Sequence, residues 1–291
     1  MKIVVTMTSW KKRIQYVRQV IEQFAKYPAN FDLIYLWLSK EEFPNEEADL
    51  PESLTRFVNA HPTKIKIRWT YQNEYNHKRW HVYPEHFKDC VVSVDDDAVY
   101  DIRNVVKAID FACDNHCIVN LADLFYSNVF NHSIHKEVIH WYQNEPNFYT
   151  TFCAQCVIPP YTFPFECLGE DELRIRRKIC QRCDESWINP WLIAHKVKVY
   201  TPNYVISRPA KYESENTTWE IMNASNGKFA FRDVQLFAVL NQFPDLMEEW
   251  LKMFRGYMKV KEDIPQILSL SEGLDIKQED LDKIPNYIRN H

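Results

Sequence analysis

Val91-Val92-Ser93-Val94-Asp95-Asp96-Asp97 is the stretch on which the reading of this chain turns. An apolar run rich in β-branched side chains predicts a strand buried on both faces, and it ends in three consecutive carboxylates. Three adjacent Asp repel one another and cannot be packed away unpaired, so they need a cation, basic partners or water. A solvated acidic turn meets that need; so does a metal-bearing active-site loop. The strand leading straight into the triplet favours the loop, because ligands of open α/β sheets bind at the carboxyl ends of strands.

Outward from this stretch the chain alternates strand and helix patterns. Residues 2–7 predict a first buried strand, with Thr8-Ser9 placed to cap a helix from Lys11 to Lys26. In that helix Ile14, Val17, Val20, Ile21 and Phe24 recur at helical spacing. Leu33 to Leu38 and Ile65 to Trp69 predict two further strands, Trp80 to Phe87 a helix, and Cys90 to Val94 the strand that delivers the triplet. A helix from Ile102 and a strand from Cys117 follow, then an irregular, aromatic-rich stretch to Tyr161. Asp184 to His195 predicts a helix leading into a strand at Val197 to Tyr200, and Phe231 to Phe243 a last core helix. The expected fold is α/β: a doubly wound, mostly parallel sheet flanked by helices. Pro244 closes the core pattern, giving a domain over residues 1–245 and a small helical C-terminal extension over 246–291. Trp250, Phe254 and Tyr257 form an apolar stripe in that extension, expected to dock on the chain's own core.

Composition removes several functions. The 291 residues include only 4 glycines, so neither a GxGxxG nor a GxxxxGK[ST] phosphate loop occurs. A net charge of -5 argues against nucleic acid as a partner. The apolar run at the amino terminus is too short for a signal peptide, and no run is long enough to span a bilayer. A cytoplasmic protein is expected, with peripheral contact at the inner membrane face left open, and its 8 Cys as reduced thiols or metal ligands.

Three groups of residues carry chemistry. In a parallel sheet, Thr6, Thr8 and Ser9 after strand one share a rim with Gln72-Asn73-Glu74 after strand three and with the Asp triplet. Lys78 and Arg79 follow strand three; on their own they read as a surface pair, but at the rim they suit a diphosphate held beside Mg2+ or Mn2+. Asp184 and Glu185 open a predicted helix, where acids are ordinary capping, or else a general base. Cys153, Cys156, Cys180 and Cys183 have the CxxC…CxxC form of a structural zinc site, against which stands the common role of Cys as a small buried hydrophobe. The histidines near 77–86 and 132–140 fit no ligand spacing.

Read in order, Thr6-Met7-Thr8-Ser9-Trp10-Lys11-Lys12-Arg13-Ile14, Leu36 to Pro44, Ser93 to Asp97 and Cys183 to Trp187 resemble a group of bacterial GT-A-type glycosyltransferases. Members carry "TSWPKRI", "LWLSxExFP", "VDDD" and "ADDxW" at these places, and the resemblance covers about residues 1–245. It implies that Asp95 to Asp97 form the DxD-type motif, with Asp97 on the metal and Asp95 or Asp96 near the ribose or a metal-bound water. Asp95 joins Asp97 as a candidate ligand. Thr6, Thr8, Ser9 and Arg13 would line the nucleotide pocket, Lys78 or Arg79 would approach the diphosphate, and Asp184 or Glu185 would deprotonate the acceptor. The chain departs at Lys11, where relatives have Pro, at Glu185, where they have Asp, and at Cys153-Ala154-Gln155-Cys156, where a glycine-rich strand is expected.

The expectation is thus a metal-dependent transferase, with inversion favoured over retention by analogy with inverting members of that group. It would move a sugar from a nucleotide-sugar, a UDP-sugar by preference, to a hydroxyl of a glycan or glycolipid acceptor. The alternatives are a nucleotidyltransferase, which usually has the glycine-rich loop missing here, and a non-catalytic zinc-stabilised binding module.

Overall fold

The computed structural model describes residues 1–122, 154–202, 206–210, 225–226 and 229–249. Strands β1 (Ile3–Thr8), β2 (Leu33–Ser39), β3 (Ile65–Thr70) and β4 (Cys90–Val94) fall where the apolar runs predict them. They continue into β5 (Ala98–Tyr100), β6 (Ile118–Asn120), β7 (Cys156–Ile158), β8 (Val199–Tyr200) and β9 (Ser207–Pro209). The main sheet has seven strands in the order β3-β2-β1-β4-β7-β6-β8. Pairs β1/β2, β2/β3, β1/β4 and β6/β8 are parallel, whereas β7 runs antiparallel to both β4 and β6. The molecule is therefore α/β with a mostly parallel, mixed sheet flanked by helices.

Alternation along each central strand splits the core in two. Val5, Met7, Leu36, Val92 and Val94 face one cluster, with helices α1 (Ile14–Ala25) and α2 (Ile102–Asn115) packed on it. Val4, Tyr35, Trp37, Val91, Cys156 and Ile158 face a second cluster built on Trp80, Trp187 and Leu192. Each fully buried aliphatic or aromatic side chain contributes about 1.5–3 kcal/mol, so both sheet faces are strongly held. On the second face two polar residues, Thr6 and Ser93, sit side by side in register, and this pair has a purpose described below.

Several expectations are corrected in detail. Thr8-Ser9 does not cap α1: the cap position is Arg13, with no side-chain capping bond, because Ser9 and Arg13 are both turned to the Asp triplet. The segment expected to be helical from Trp80 is a 3-10 helix over Tyr75–Val82 followed by the short helix Tyr83–His86. Lys78 and Arg79 are not a surface pair; each is at most 3% exposed. The helices Asp184–Ala194 and Phe231–Gln242 lie as predicted. The 246–291 extension and its Trp250, Phe254 and Tyr257 stripe fall outside the described residues, save 246–249. Among the described residues no helix is long and apolar enough to cross a membrane.

Candidate functional site

Strand order places the site. From β1 the chain works outward through β2 to β3, then returns to lay β4 on the other side of β1. The carboxyl ends of β1 and β4 are therefore the topological switch point, where connections depart in opposite directions and leave a crevice. The loop after β1 and the Asp triplet after β4 meet there.

Arg13 holds two of the three acids. Its Nη1 lies 2.8 Å from Asp96 Oδ1 and 2.7 Å from Asp97 Oδ2. The Ser9 hydroxyl donates to the other Asp96 oxygen at 2.5 Å. Asp96 is buried, and both of its oxygens are committed to protein donors. Burial alone would lower the Arg13 pKa, but Asp96 and Asp97 more than offset this and hold it above the ordinary value.

Arg79 holds the third acid from below. Its Nη1 donates to Asp95 Oδ1 at 2.6 Å and reaches the backbone oxygens of Val94 and Ala154 at 3.4 Å. The polar pair on the sheet is its seat: the Thr6 hydroxyl donates to the Arg79 carbonyl at 2.9 Å, and Ser93 Oγ lies 3.5 Å from Nη1. Burial works against the charged guanidinium, yet Asp95 and Asp184 keep its pKa well above the usual value.

The second Asp95 oxygen accepts from Gln155 Nε2 at 2.8 Å, and Gln155 Oε1 accepts from the Tyr100 hydroxyl at 2.9 Å. That hydroxyl in turn accepts the Asp95 N–H at 2.8 Å, closing a ring of three residues. Gln155 reaches the rim only because β7 runs backward, which puts the start of that strand beside the end of β4.

Asp184 lies behind Arg79 and is fully buried. Its Oδ2 accepts from Trp80 Nε1 at 2.9 Å and stands 3.8 Å from Arg79 Nε. Burial and the neighbouring Glu185 push the carboxyl up to about 8, against the opposing pull of Arg79 and Trp80. Among the described residues Arg79 Nε and Asp184 Oδ1 have no hydrogen-bond partner, so donor and acceptor capacity remains inside the site. Glu185 is partly exposed, with Cys183 Sγ 3.4 Å from its Oε2.

Of the residues singled out from sequence, Ser9, Arg13, Arg79, Asp95, Asp96, Asp97 and Asp184 are brought into one connected cluster. Thr6 and Thr8 face inward: Thr6 supports Arg79, and the Thr8 hydroxyl donates to the Trp37 carbonyl at 2.9 Å. Lys78 Nζ donates to Asn73 Oδ1 at 2.9 Å and lies 3.4 Å from Glu42, and burial lowers its pKa. It thus ties the stretch after β2 to the stretch after β3. Gln155, Tyr100 and Trp80 were not singled out, and no spacing could have done so, since Gln155 lies 60 residues from the acid it contacts.

Asp95 and Asp97 are the acids with some exposure, 27% and 16% for their side chains. They supply hard oxygens of the kind Mg2+ or Mn2+ takes, and Mg2+ commonly uses one or two carboxylates with water and phosphate completing its shell. Among the described residues no group of three or more His, Cys, Asp or Glu is placed to hold a metal ion by protein ligands alone. For the zinc alternative, Cys153 lies outside the described residues. Cys180 Sγ is 3.2 Å from the Cys183 carbonyl, Ser186 Oγ is 3.1 Å from Cys183 Sγ, and Cys156 packs in the second core cluster.

Comparison with protein-family models and with curated proteins finds no match to this chain.

Proposed function

We propose that this protein is a metal-dependent glycosyltransferase of the GT-A type, moving a sugar from a nucleotide-sugar, a UDP-sugar by preference, to a hydroxyl of a glycan or glycolipid. The observation that carries the reading is the convergence of the β1 loop and the acidic triplet at the switch point, with Arg13 and Arg79 clamping the three acids. Three of the four ordered sequence motifs, Thr6 to Ile14, Ser93 to Asp97 and Cys183 to Trp187, contribute residues to this cluster and give the reading its chemistry.

In the reaction, an acceptor hydroxyl oxygen attacks the anomeric carbon as the bond to the diphosphate oxygen breaks. The hydroxyl proton passes to a carboxylate, and the nucleoside diphosphate leaves. Asp97, with Asp95, would hold a divalent cation, whose chemistry here is neutralisation of charge on the leaving diphosphate. Asp96 is the anchor that fixes the loop, because it is buried and both its oxygens accept from Ser9 and Arg13. Asp95 also accepts at both oxygens, from Arg79 and Gln155, but its exposure lets it reach a cation by exchanging one of those bonds. Between the two candidate bases, Glu185 is the reachable carboxylate, and Asp184 is a positioning residue that acts through Arg79. Arg79 is preorganised by Thr6 and Asp184, so Asp95 is held in place before any ligand arrives.

The test is hydrolysis and transfer across a panel of UDP- and GDP-sugars, with Mn2+ present and then chelated. Asp97→Ala should abolish turnover with an unchanged circular-dichroism spectrum, and Glu185→Gln should lose transfer while keeping nucleotide binding. Tight stoichiometric zinc, together with UDP binding indifferent to Mn2+, would instead favour the zinc-stabilised module.

A further inference from the structure

The edge of the sheet opposite Asp95 carries a cleft of about 650 Å³ that the proposed reaction does not use. Phe87 precedes β4, His116 precedes β6, Lys198 precedes β8, and Tyr161 follows the reversed β7, so all of its walls stand at the amino-terminal edge.

One wall is aromatic. Tyr161 and Phe165 stand edge-to-face against Phe87, at centroid distances of 5.5 and 5.6 Å, and are themselves 64% and 43% exposed. The facing wall is basic, with His116, His195, Lys196 and Lys198 all exposed; among the described residues Glu166 is the one acid lining the cleft, 3.5 Å from His195. This gathering of bases belongs to a chain whose net charge is -5. Cations offset the negative carboxyl ends of helices, and α2 and the helix Asp184–Ala194 both end here. That accounts for His116 and His195, but not for Lys198 or for the aromatic wall. Three non-glycine residues at the cleft, His116, Tyr161 and Lys196, adopt left-handed backbone with φ of 49°, 61° and 55°. Such conformations cost free energy and tend to collect where a site is shaped.

We propose that this cleft is a second binding site, for an acidic saccharide. Exposed aromatic faces accept the apolar face of a sugar ring, the lysines and histidines pair with its carboxylate, and carbonyls at the two helix ends accept from its hydroxyls. A nucleoside diphosphate fits less well, because phosphates favour the amino termini of helices, whereas the two long helices that meet here present their carboxyl termini and the short 3-10 helix Phe165–Leu168 opens on Glu166.

The site stands or falls independently of the sugar-transfer reading. Calorimetric titration of the full chain with a galacturonic acid tetramer and with a neutral glucose tetramer tests it. The acidic tetramer should bind more tightly than the neutral one and weaken with added salt. Tyr161→Ala and Lys198→Glu, both at exposed positions and checked for folding by circular dichroism, should each weaken it about tenfold. Absence of binding, equal binding of the two tetramers, or affinity unmoved by either variant would overturn the proposal.

Discussion

Replacing Arg13 by Met is the most informative perturbation of this site. The guanidinium is 8% exposed and bridges two acids, Asp96 at 8% and Asp97 at 16%. Methionine fills similar volume but leaves two carboxylates beside each other without the guanidinium that bridges them. Removing one partner of a buried ion pair costs about 3–5 kcal/mol, mostly because the remaining charge is stranded. Asp97 recovers part of this through water, which puts the expected loss near the lower end, about 3 kcal/mol. For a domain of this size that corresponds to a midpoint drop of roughly 6–12 °C. Urea titrations at several pH values would measure it.

The pH dependence carries the diagnosis. Without Arg13, the two adjacent carboxylates repel each other whenever both are charged, and protonation relieves that repulsion. The deficit should therefore be small near pH 4 and grow as pH rises toward 7. Adding Asp96→Asn to the Arg13→Met chain should restore at least about 1 kcal/mol, a coupling expected of groups in contact. A loss under about 1 kcal/mol that does not change with pH would refute the clamp.

Two further substitutions follow from the same geometry. In Asp184→Asn the pH dependence should flatten: the native carboxyl titrates near 8 against about 3.9 in an unfolded chain, so wild-type stability falls as pH rises through that window. Parallel urea profiles for the two proteins from pH 4 to 8 would contradict this. Glu74 accepts from the buried Arg176 and from Arg177, and lies 3.3 Å from His81. Burial works against its charge, but His81 and the two arginines hold its pKa far below the ordinary range. Glu74→Gln should cost about 3 kcal/mol at pH 7. A depressed carboxylate contributes fully above its unfolded pKa and progressively less below it, so the gap to wild type should begin to narrow as pH falls below about 4. A gap as large at pH 3 as at pH 7 would assign the loss to packing instead.

The parts of this molecule that were legible in the sequence are those whose physics is local. The runs at Ile3, Leu33 and Cys90 are apolar because both sheet faces are covered, and the Asp triplet stands out because its charges cannot be buried alone. Strand β7 was not legible: three residues, Cys156–Ile158, carry no period, and their direction is set by pairing with β4 and β6. Pairings over long separations were equally hidden. Trp80 meets Asp184 across 104 residues, and Arg176 meets Glu74 across 102, through partners that no spacing rule connects. Lys78 misled because a cation in a polar stretch reads as surface, whereas here Glu42 and Asn73 give it a buried seat.

The reversal of β7 has a consequence for how such a chain can change. Leu121 N–H donates to the Gln155 carbonyl at 2.8 Å, so the chain leaves the sheet after β6 and re-enters it at β7 through a single hydrogen-bonded doorway. The doorway's own residue, Gln155, touches Asp95. Any change that shifts the start of β7 therefore reaches the acidic triplet through a single side chain.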